Sequence, residues 1–377
     1  MSVESYIVDG ARSPIGLKNG NMVGVRSDDL AAMVIKGLMG RNVNISPKSI
    51  EDVVLGCAFP EGPQGMLMAR AVSILSDLPI ETGGKVVNRF CGSSMDSLHQ
   101  LSQAILAGDI EAGIAAGVED MFGVPMGGFN PSFHPELYEK ELYIGMGDTA
   151  EILAKDLDIS REDQESFAIH SHEKALAAIE EGRFQNEIIP VEINGVTVEK
   201  DEGPRSPDID KIKSLDPAFD AEGSITAATS SPISVGAAAA IIMGKEKTEE
   251  LEISQKFKIL SRSIAGVDWT RMGSGPLPAT EKALKKAGLT MDDVETIELN
   301  EAFAAQSLYV IRKGNWDMDK INLNGGAIAL GHPLGCSGVR LLVTLMNVMN
   351  QKGTSLGLAT MCIGSGQGIA TVIEKIS

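Results

Sequence analysis

The sequence predicts an α/β protein with a mostly parallel sheet, built from two similar halves and interrupted by a long insertion. Three observations carry this. Short apolar runs of strand length alternate with runs of helical spacing from Ser5 to about Glu119, and the alternation resumes at about Gln255. Between them, over 119–232, the chain turns to Met, Gly, Pro, Phe and many charges. Glycine is abundant at 41 and aromatics are only 4%, a composition suited to helices lying close on sheets.

Taken in order, Ser5–Val8 is an apolar strand. Asp28 and Asp29 mark a helix start, with Leu30, Met33, Val34 and Leu38 as its apolar face. Ile50–Cys57 is strand and Leu67–Leu75 helix. Lys85–Val87 ends a buried strand, and Met95, Leu98, Leu101, Ala104 and Ile105 carry helical spacing. Ala112–Ala116 is strand, ending in Gly117-Val118-Glu119. Inside the insertion, helical patches cover Thr149–Leu157 and Arg161–Glu181, and loops this long are usually functional or disordered. Gly236–Ile241 is a small-residue strand or helix. Strands then fall at Lys258–Ala265, Thr296–Leu299, Ile321–Leu323, Leu356–Cys362 and Gly368–Glu374, with helices at Pro278–Ala287, Glu301–Lys313 and Gly338–Met349.

At 377 residues, two or three domains are expected. The formal charge is −18 and no basic block occurs. This argues against nucleic acid or an anionic membrane as partner. The four cysteines lack metal-ligand spacing, no apolar run reaches membrane-span length, and no secretory signal precedes the first strand. The expected setting is the reducing cytoplasm.

Four stretches concentrate chemistry. In Val86–Met95, Cys91 sits where a strand gives way to a helix. Free N–H groups and the helix dipole favour a thiolate there. The bland alternative is a small core residue. In Glu298–Ala304, Asn300 ends a strand and can hold a water or an oxyanion, with helix capping its more ordinary role. In Asn324–Gly335, glycines crowd around His332, which is either a core histidine in a tight turn or a rigidly aimed imidazole. In Met361–Gly368, Cys362 ends a strand before a glycine turn. That turn is either an oxyanion hole or a plain β-turn with the cysteine packed inside. Together they supply a nucleophile, a histidine, a second thiol and oxyanion donors, a set suited to thioester chemistry.

These four stretches, in this order, resemble those of the thiolases: Asn88–Met95 the nucleophile segment, Asn300–Ala304 the Asn-Glu-Ala-Phe segment, Asn324–Gly338 the glycine-rich histidine segment, and Cys362–Gly368 the C-terminal Cys-x-Gly turn. Cys336, Ile363 and Ala228–Ser231 make the chain most similar to members that form the β subunit of bacterial fatty-acid oxidation complexes.

The resemblance implies a thiolase fold: two βαβαβαββ halves in five α-β-α-β-α layers. The first thiolase domain would cover 1–118 and 233–254, a loop domain over the coenzyme A site 119–232, and the second thiolase domain 255–377. It also implies reversible Claisen chemistry on CoA thioesters. Cys91 would be the nucleophile, Cys362 the acid and base, and His332 the activator of Cys91, with Asn300 holding a water. The N–H groups of Cys91 and Gly364 would form an oxyanion hole. Ser231, Met146, Phe219 and Phe303 would line the pantetheine arm, and Arg205 would meet the phosphates or be a solvated charge. No cofactor would be held permanently, coenzyme A being a substrate. Homodimers or homotetramers are implied, and in complex-forming members a hydratase/dehydrogenase α subunit.

The chain departs from the family's usual pattern in three places. Ser234-Val235 stands for Asn-Asp, Asp148 for a neutral residue, and Gly145 for the His of short-chain members. The last substitution is expected to leave room for a longer acyl chain.

Overall fold

The computed structural model describes residues 4–254 and 256–376. Gln255, the expected start of the second half, therefore lies outside the described residues, as do Met1–Val3 and Ser377.

The first half runs β1 (Ser5–Arg12), α1 (Ser27–Arg41), β2 (Asp52–Gly56), α2 (Met68–Leu75), β3 (Gly83–Val87), α3 (Ser93–Ala107) and β4 (Ala112–Asp120). The stretch 121–233 follows, with α4 (Met146–Asp156), α5 (Arg161–Glu180), two five-residue helices and a small ribbon of Val191–Ile193 on Val196–Val198. The chain then returns through β5 (Ser234–Gly244), which settles the small-residue stretch as strand. The second half runs β6 (Lys256–Gly266), α6 (Pro276–Ala287), β7 (Thr296–Leu299), α7 (Ala304–Gly314), α8 (Ser337–Lys352), β8 (Leu356–Ile363) and β9 (Gln367–Ile376).

The strands lie in the order β7-β8-β9-β6-β1-β5-β4-β2-β3. Each half repeats one order, and the halves meet where β1 pairs antiparallel with β6 at Tyr6–Lys258 and Ile7–Phe257. The sheet is mixed, not mostly parallel. Only β2–β3, β2–β4 and β7–β8 are parallel, since a helix crosses over between parallel neighbours; β8 and β9, joined by a short turn, must reverse.

The expected strand at Ile321–Leu323 reduces to one bridge, Ile321 to Ile297. Asn322 takes a left-handed φ of 47°. Its side chain instead accepts from Leu299 N at 2.9 Å and donates to Leu299 O at 2.8 Å, replacing the ladder with an amide.

Five layers follow from which faces are apolar. Helix α1 buries Leu30, Val34, Ile35 and Leu38 on the first half's sheet, and α6 and α7 cover the second. Helices α3 and α8 lie between the halves: α8 packs on β7 and β8 of its own half and on β1 and β5 of the other. Its residues from Ser337 through Met349 are all buried, as a helix enclosed on every side requires.

The two central helices meet at their starts. Ser94 Oγ donates to Cys336 O at 3.0 Å and accepts from Val339 N at 2.9 Å. A β-carbon on Gly338 would overlap the backbone of Met95, so this close approach requires glycine. The crossing brings the Cys91 loop and the His332 loop to one place.

Candidate active site

Cys91 lies two residues before the first residue of α3, with Gly92 at the cap position. Phe90 before it has φ +42°, a strained conformation for an aromatic residue. Two side chains brace it: Asn88 Oδ1 accepts from Phe90 N at 2.9 Å, and Ser93 Oγ accepts from Arg89 N at 2.9 Å and donates to Phe90 O at 2.6 Å. This bend projects the half-buried Cys91 away from its own strand.

The helix start does not make a ready thiolate. Desolvation pushes the Cys91 thiol up to about 11, while the N–H groups of Gly364 and of Cys91 itself pull the other way. Burial therefore outweighs the two N–H groups. Those same two N–H groups favour the charged form of the sulfur, and a pair of such donors can serve as an oxyanion hole.

Gly364 comes from the hairpin β8–β9. The strands pair through Ile363–Gln367, and Ser365 (φ +62°) and Gly366 (φ +79°) turn the chain. The turn is thus an ordinary hairpin loop and a donor platform together. Cys362 is buried just before it, its thiol pushed far up by desolvation and, secondarily, by Cys91 nearby.

His332 is buried, and both ring nitrogens have assigned neighbours. Ser337 Oγ gives its proton to Pro333 O at 2.9 Å, so Nδ1–H of His332 donates to Ser337 Oγ at 2.6 Å. Nε2 then keeps its lone pair, 3.3 Å from Asn300 Nδ2. Burial, then the Arg340 cation, lowers the imidazole to about 3, so it is neutral at pH 7. Asn300 does not cap α7, which begins four residues later; its buried Oδ1 has no protein partner among the described residues.

Two supporting carboxylates were not singled out from sequence, and Ser234 joins them. Glu301 accepts from Ser171 Oγ at 2.7 Å, Asn322 Nδ2 at 2.8 Å and Ile328 N at 3.2 Å, pinning the glycine-rich loop. Glu119 accepts from Ala58 N, Gln64 Nε2 and Gly335 N at 2.7–2.9 Å, tying the end of β4 to the His332 loop. Ser234 Oγ accepts from His332 N at 2.9 Å, so this departure from the family pattern holds the His332 loop. The available signal was a carboxylate inside an apolar run, which implies a paired buried charge.

The apolar candidates also gather. Phe219 and Phe303 stack edge to face with centroids 5.8 Å apart. The Phe219 ring lies against Gly147, next to Met146, and Met146 Sδ is 3.4 Å from where a β-carbon on Gly364 would stand. Ser231 N donates to Ala302 O at 3.0 Å, placing Ser231 beside Phe303. Arg205 stands apart: it is exposed, and its hydrogen bonds go to Gly203 and His172.

Gly145 is exposed, and the tip of the exposed Asp148 side chain lies 2.6 Å from where a β-carbon on it would stand. Val235 is fully buried, so an acidic residue there would carry a charge into the core.

Among the described residues, no group of His, Cys, Asp or Glu is placed to hold a metal ion. No described helix is long and apolar enough to cross a membrane.

Comparison with known proteins now decides the family. The thiolase N-terminal domain model matches residues 5–246 and the thiolase C-terminal domain model residues 253–375. The chain belongs to the thiolase family. It is 48% identical over 382 residues to a 3-ketoacyl-CoA thiolase of Vibrio vulnificus (strain CMCP6) and 47% identical over 384 residues to one of Marinomonas sp. (strain MWYL1), covering 98% of each chain in both cases. Its structure is similar to the crystal structure of the Bacillus anthracis acetyl-CoA acetyltransferase, with TM-score 0.91, 34% identity and 99% coverage of both chains. As a thiolase, the protein is an acyltransferase, and its mixed, layered α/β architecture is the thiolase fold.

Proposed function

We propose that this protein is a 3-ketoacyl-CoA thiolase, cleaving 3-ketoacyl-CoA with coenzyme A into acetyl-CoA and an acyl-CoA shortened by two carbons. The observation that carries the reading is the buried His332 held between Ser337 at 2.6 Å and Asn300 at 3.3 Å, in a loop whose following helix crosses the start of the Cys91 helix through Ser94 and Cys336, with the buried thiol of Cys362 near Cys91.

In the first step, Cys91 gives its proton to Nε2 of His332, and the thiolate attacks the keto carbon. The bond between the keto carbon and its neighbour breaks. Acetyl-CoA leaves as an enolate, its oxygen stabilised by the protonated His332 and by a water held at Asn300. Cys362 protonates the enolate carbon; a thiol kept protonated by burial suits that task. In the second step, the thiol of coenzyme A gives its proton to the Cys362 thiolate and attacks the acyl group on Cys91. The new oxyanion sits at the N–H groups of Cys91 and Gly364. Cys91 leaves, and His332 returns its proton. Losing one such donor typically costs about a hundredfold or more in rate.

Coenzyme A, as substrate, would lie along Ser231, Met146, Phe219 and Phe303, with 119–232 acting as the domain that covers it. Arg205, exposed, would reach the phosphates only at the outer end of this path. Relatives named 3-ketoacyl-CoA thiolase support the reaction. Fatty-acid β-oxidation as the setting, a cytoplasmic location, a homodimer or homotetramer, and an α-subunit partner are further parts of the proposal. The second reading is acetoacetyl-CoA thiolysis or synthesis, favoured by Asp148 occupying the space beside Gly145.

The test is the thiolysis rate, read as loss of 3-ketoacyl-CoA enolate absorbance, from acetoacetyl to long acyl chains. Activity beyond four carbons is expected; activity confined to acetoacetyl-CoA would establish the second reading instead. Cys91→Ser is expected to abolish thiolysis while leaving the circular dichroism spectrum unchanged, and retained activity would overturn the mechanism.

A further inference from the structure

Glu298 on β7 and Arg340 on α8 are both fully buried. Their nearest atoms, Arg340 Nη1 and Glu298 Oε2, are 3.5 Å apart. Neither carboxylate oxygen and none of the three guanidinium nitrogens has a hydrogen-bond partner among the described residues. A buried ion pair left this incomplete is a poor source of stability, and an apolar pair of similar volume commonly does as well or better. Its presence calls for another explanation.

The place of the pair supplies one. Glu298 precedes Asn300 by two residues; Asn300 lies just past the last residue of β7, and its N–H still donates to Thr360 O of β8 at 3.1 Å, which continues the strand's alternation. Arg340 follows Ser337 by three residues along α8, so these share a face. Asn300 and Ser337 are the residues that flank His332, through contacts of 3.3 and 2.6 Å. Strand β7 and helix α8 are therefore bridged twice on adjoining levels, by Asn300–His332–Ser337 and then by Glu298–Arg340. The two elements pack directly on each other.

We propose that Glu298 and Arg340 are positioning residues: their attraction across the β7–α8 seam sets the separation at which Asn300 and the His332 imidazole face the reacting thioester. The Arg340 cation is also the charge that, after burial, holds His332 neutral, which the proton transfer from Cys91 requires. Burial pushes the Glu298 carboxyl up to about 8 even against the pull of Arg340, so its charged form, and with it the full attraction, grows as pH rises through that value. The inference rests on the reading of His332 as the base.

Four proteins test it: the native chain, Arg340→Lys, Glu298→Leu, and the double variant Glu298→Leu/Arg340→Met. Each is measured for its thermal midpoint, for kcat and KM on a 3-ketoacyl-CoA, and for the rate at which iodoacetamide alkylates Cys91. Glu298→Leu strands a buried cation and is expected to lose its fold or its thermal midpoint. The double variant is expected to recover the native midpoint yet lose at least about tenfold in kcat, with KM within about twofold and slower alkylation, because small misplacements cost rate more than binding. A double variant with native kcat and alkylation rate would overturn the proposal and leave the pair structural. Should the double variant not fold, Arg340→Lys decides. It keeps the charge and loses the reach, and native kcat and alkylation there would equally overturn the proposal. An inactive native chain would count against the thiolase reading alone, and the alkylation rate would still report on positioning.

Discussion

At the scale of the residue, the central fact is a thiol and an imidazole that are both neutral. Burial pushes Cys91 up to about 11 and His332 down to about 3, so below pH 9 the pair is not a preformed thiolate–imidazolium. The thiolate fraction of the free protein therefore grows as pH rises. Alkylation of Cys91 by iodoacetamide is expected to climb through neutral pH without levelling by pH 9, and an inflection below pH 8 would contradict it. The Nδ1 contact to Ser337 fixes which nitrogen faces the substrate. Ser337→Ala removes that partner, and a fall of about tenfold to a hundredfold in kcat with KM little changed is expected from steady-state thiolysis.

At the scale of the element, the site exists because two helix starts cross. Cys91 belongs to one half and His332 to the other, and Ser94, Gly338 and Glu119 join them. The small residues are needed because the backbones nearly touch. Gly338→Val would drive a branched side chain into the Met95 backbone. A loss of roughly 2–3 kcal/mol in unfolding free energy, measured by denaturant titration, is expected from such overpacking. Activity should fall more steeply than stability, since the crossing sets the distance between Cys91 and His332. The strained Phe90 serves the same end: Asn88 and Ser93 hold a backbone conformation that an unbraced loop would abandon.

At the scale of the whole molecule, the two halves repeat one topology and enclose α3 and α8 between them. The open end of the sheet is β3, which leads directly into the catalytic bend. Close to it, Met66 is 98% exposed and Ile80 78% exposed. A bare edge strand flanked by apolar side chains is a pairing surface, which supports self-association through this face. Light scattering is expected to report at least a dimer, and Ile80→Glu to shift it toward the monomer with loss of activity. A native monomer would contradict this.

Much of this was legible in the chain. Local patterning located most strands and helices within a few residues, because one buried face imposes a period of 2 or 3.6 on the side chains. Four short stretches named Cys91, His332, Cys362 and Asn300, because chemistry needs particular residue types at element ends. What the chain alone left open, or gave differently, depended on neighbours distant in sequence. The Ile321 strand failed because Asn322 satisfied Leu299 with a side chain. The helix start did not yield a ready thiolate, because burial raises the thiol more than the N–H groups of Gly364 and Cys91 lower it. The neighbour of Gly145 is the Asp148 carboxylate, brought beside it by the turn that starts the helix. Glu119, Glu301, Glu298 and Arg340 look in sequence like charges inside apolar runs; only the packed structure shows what each one faces. The residue types and their order determined the family, the fold and the reaction class, since these follow from local pattern and side-chain chemistry. Tertiary structure alone decided protonation, tautomer and approach, since desolvation and Coulomb energy depend on distances that only packing sets.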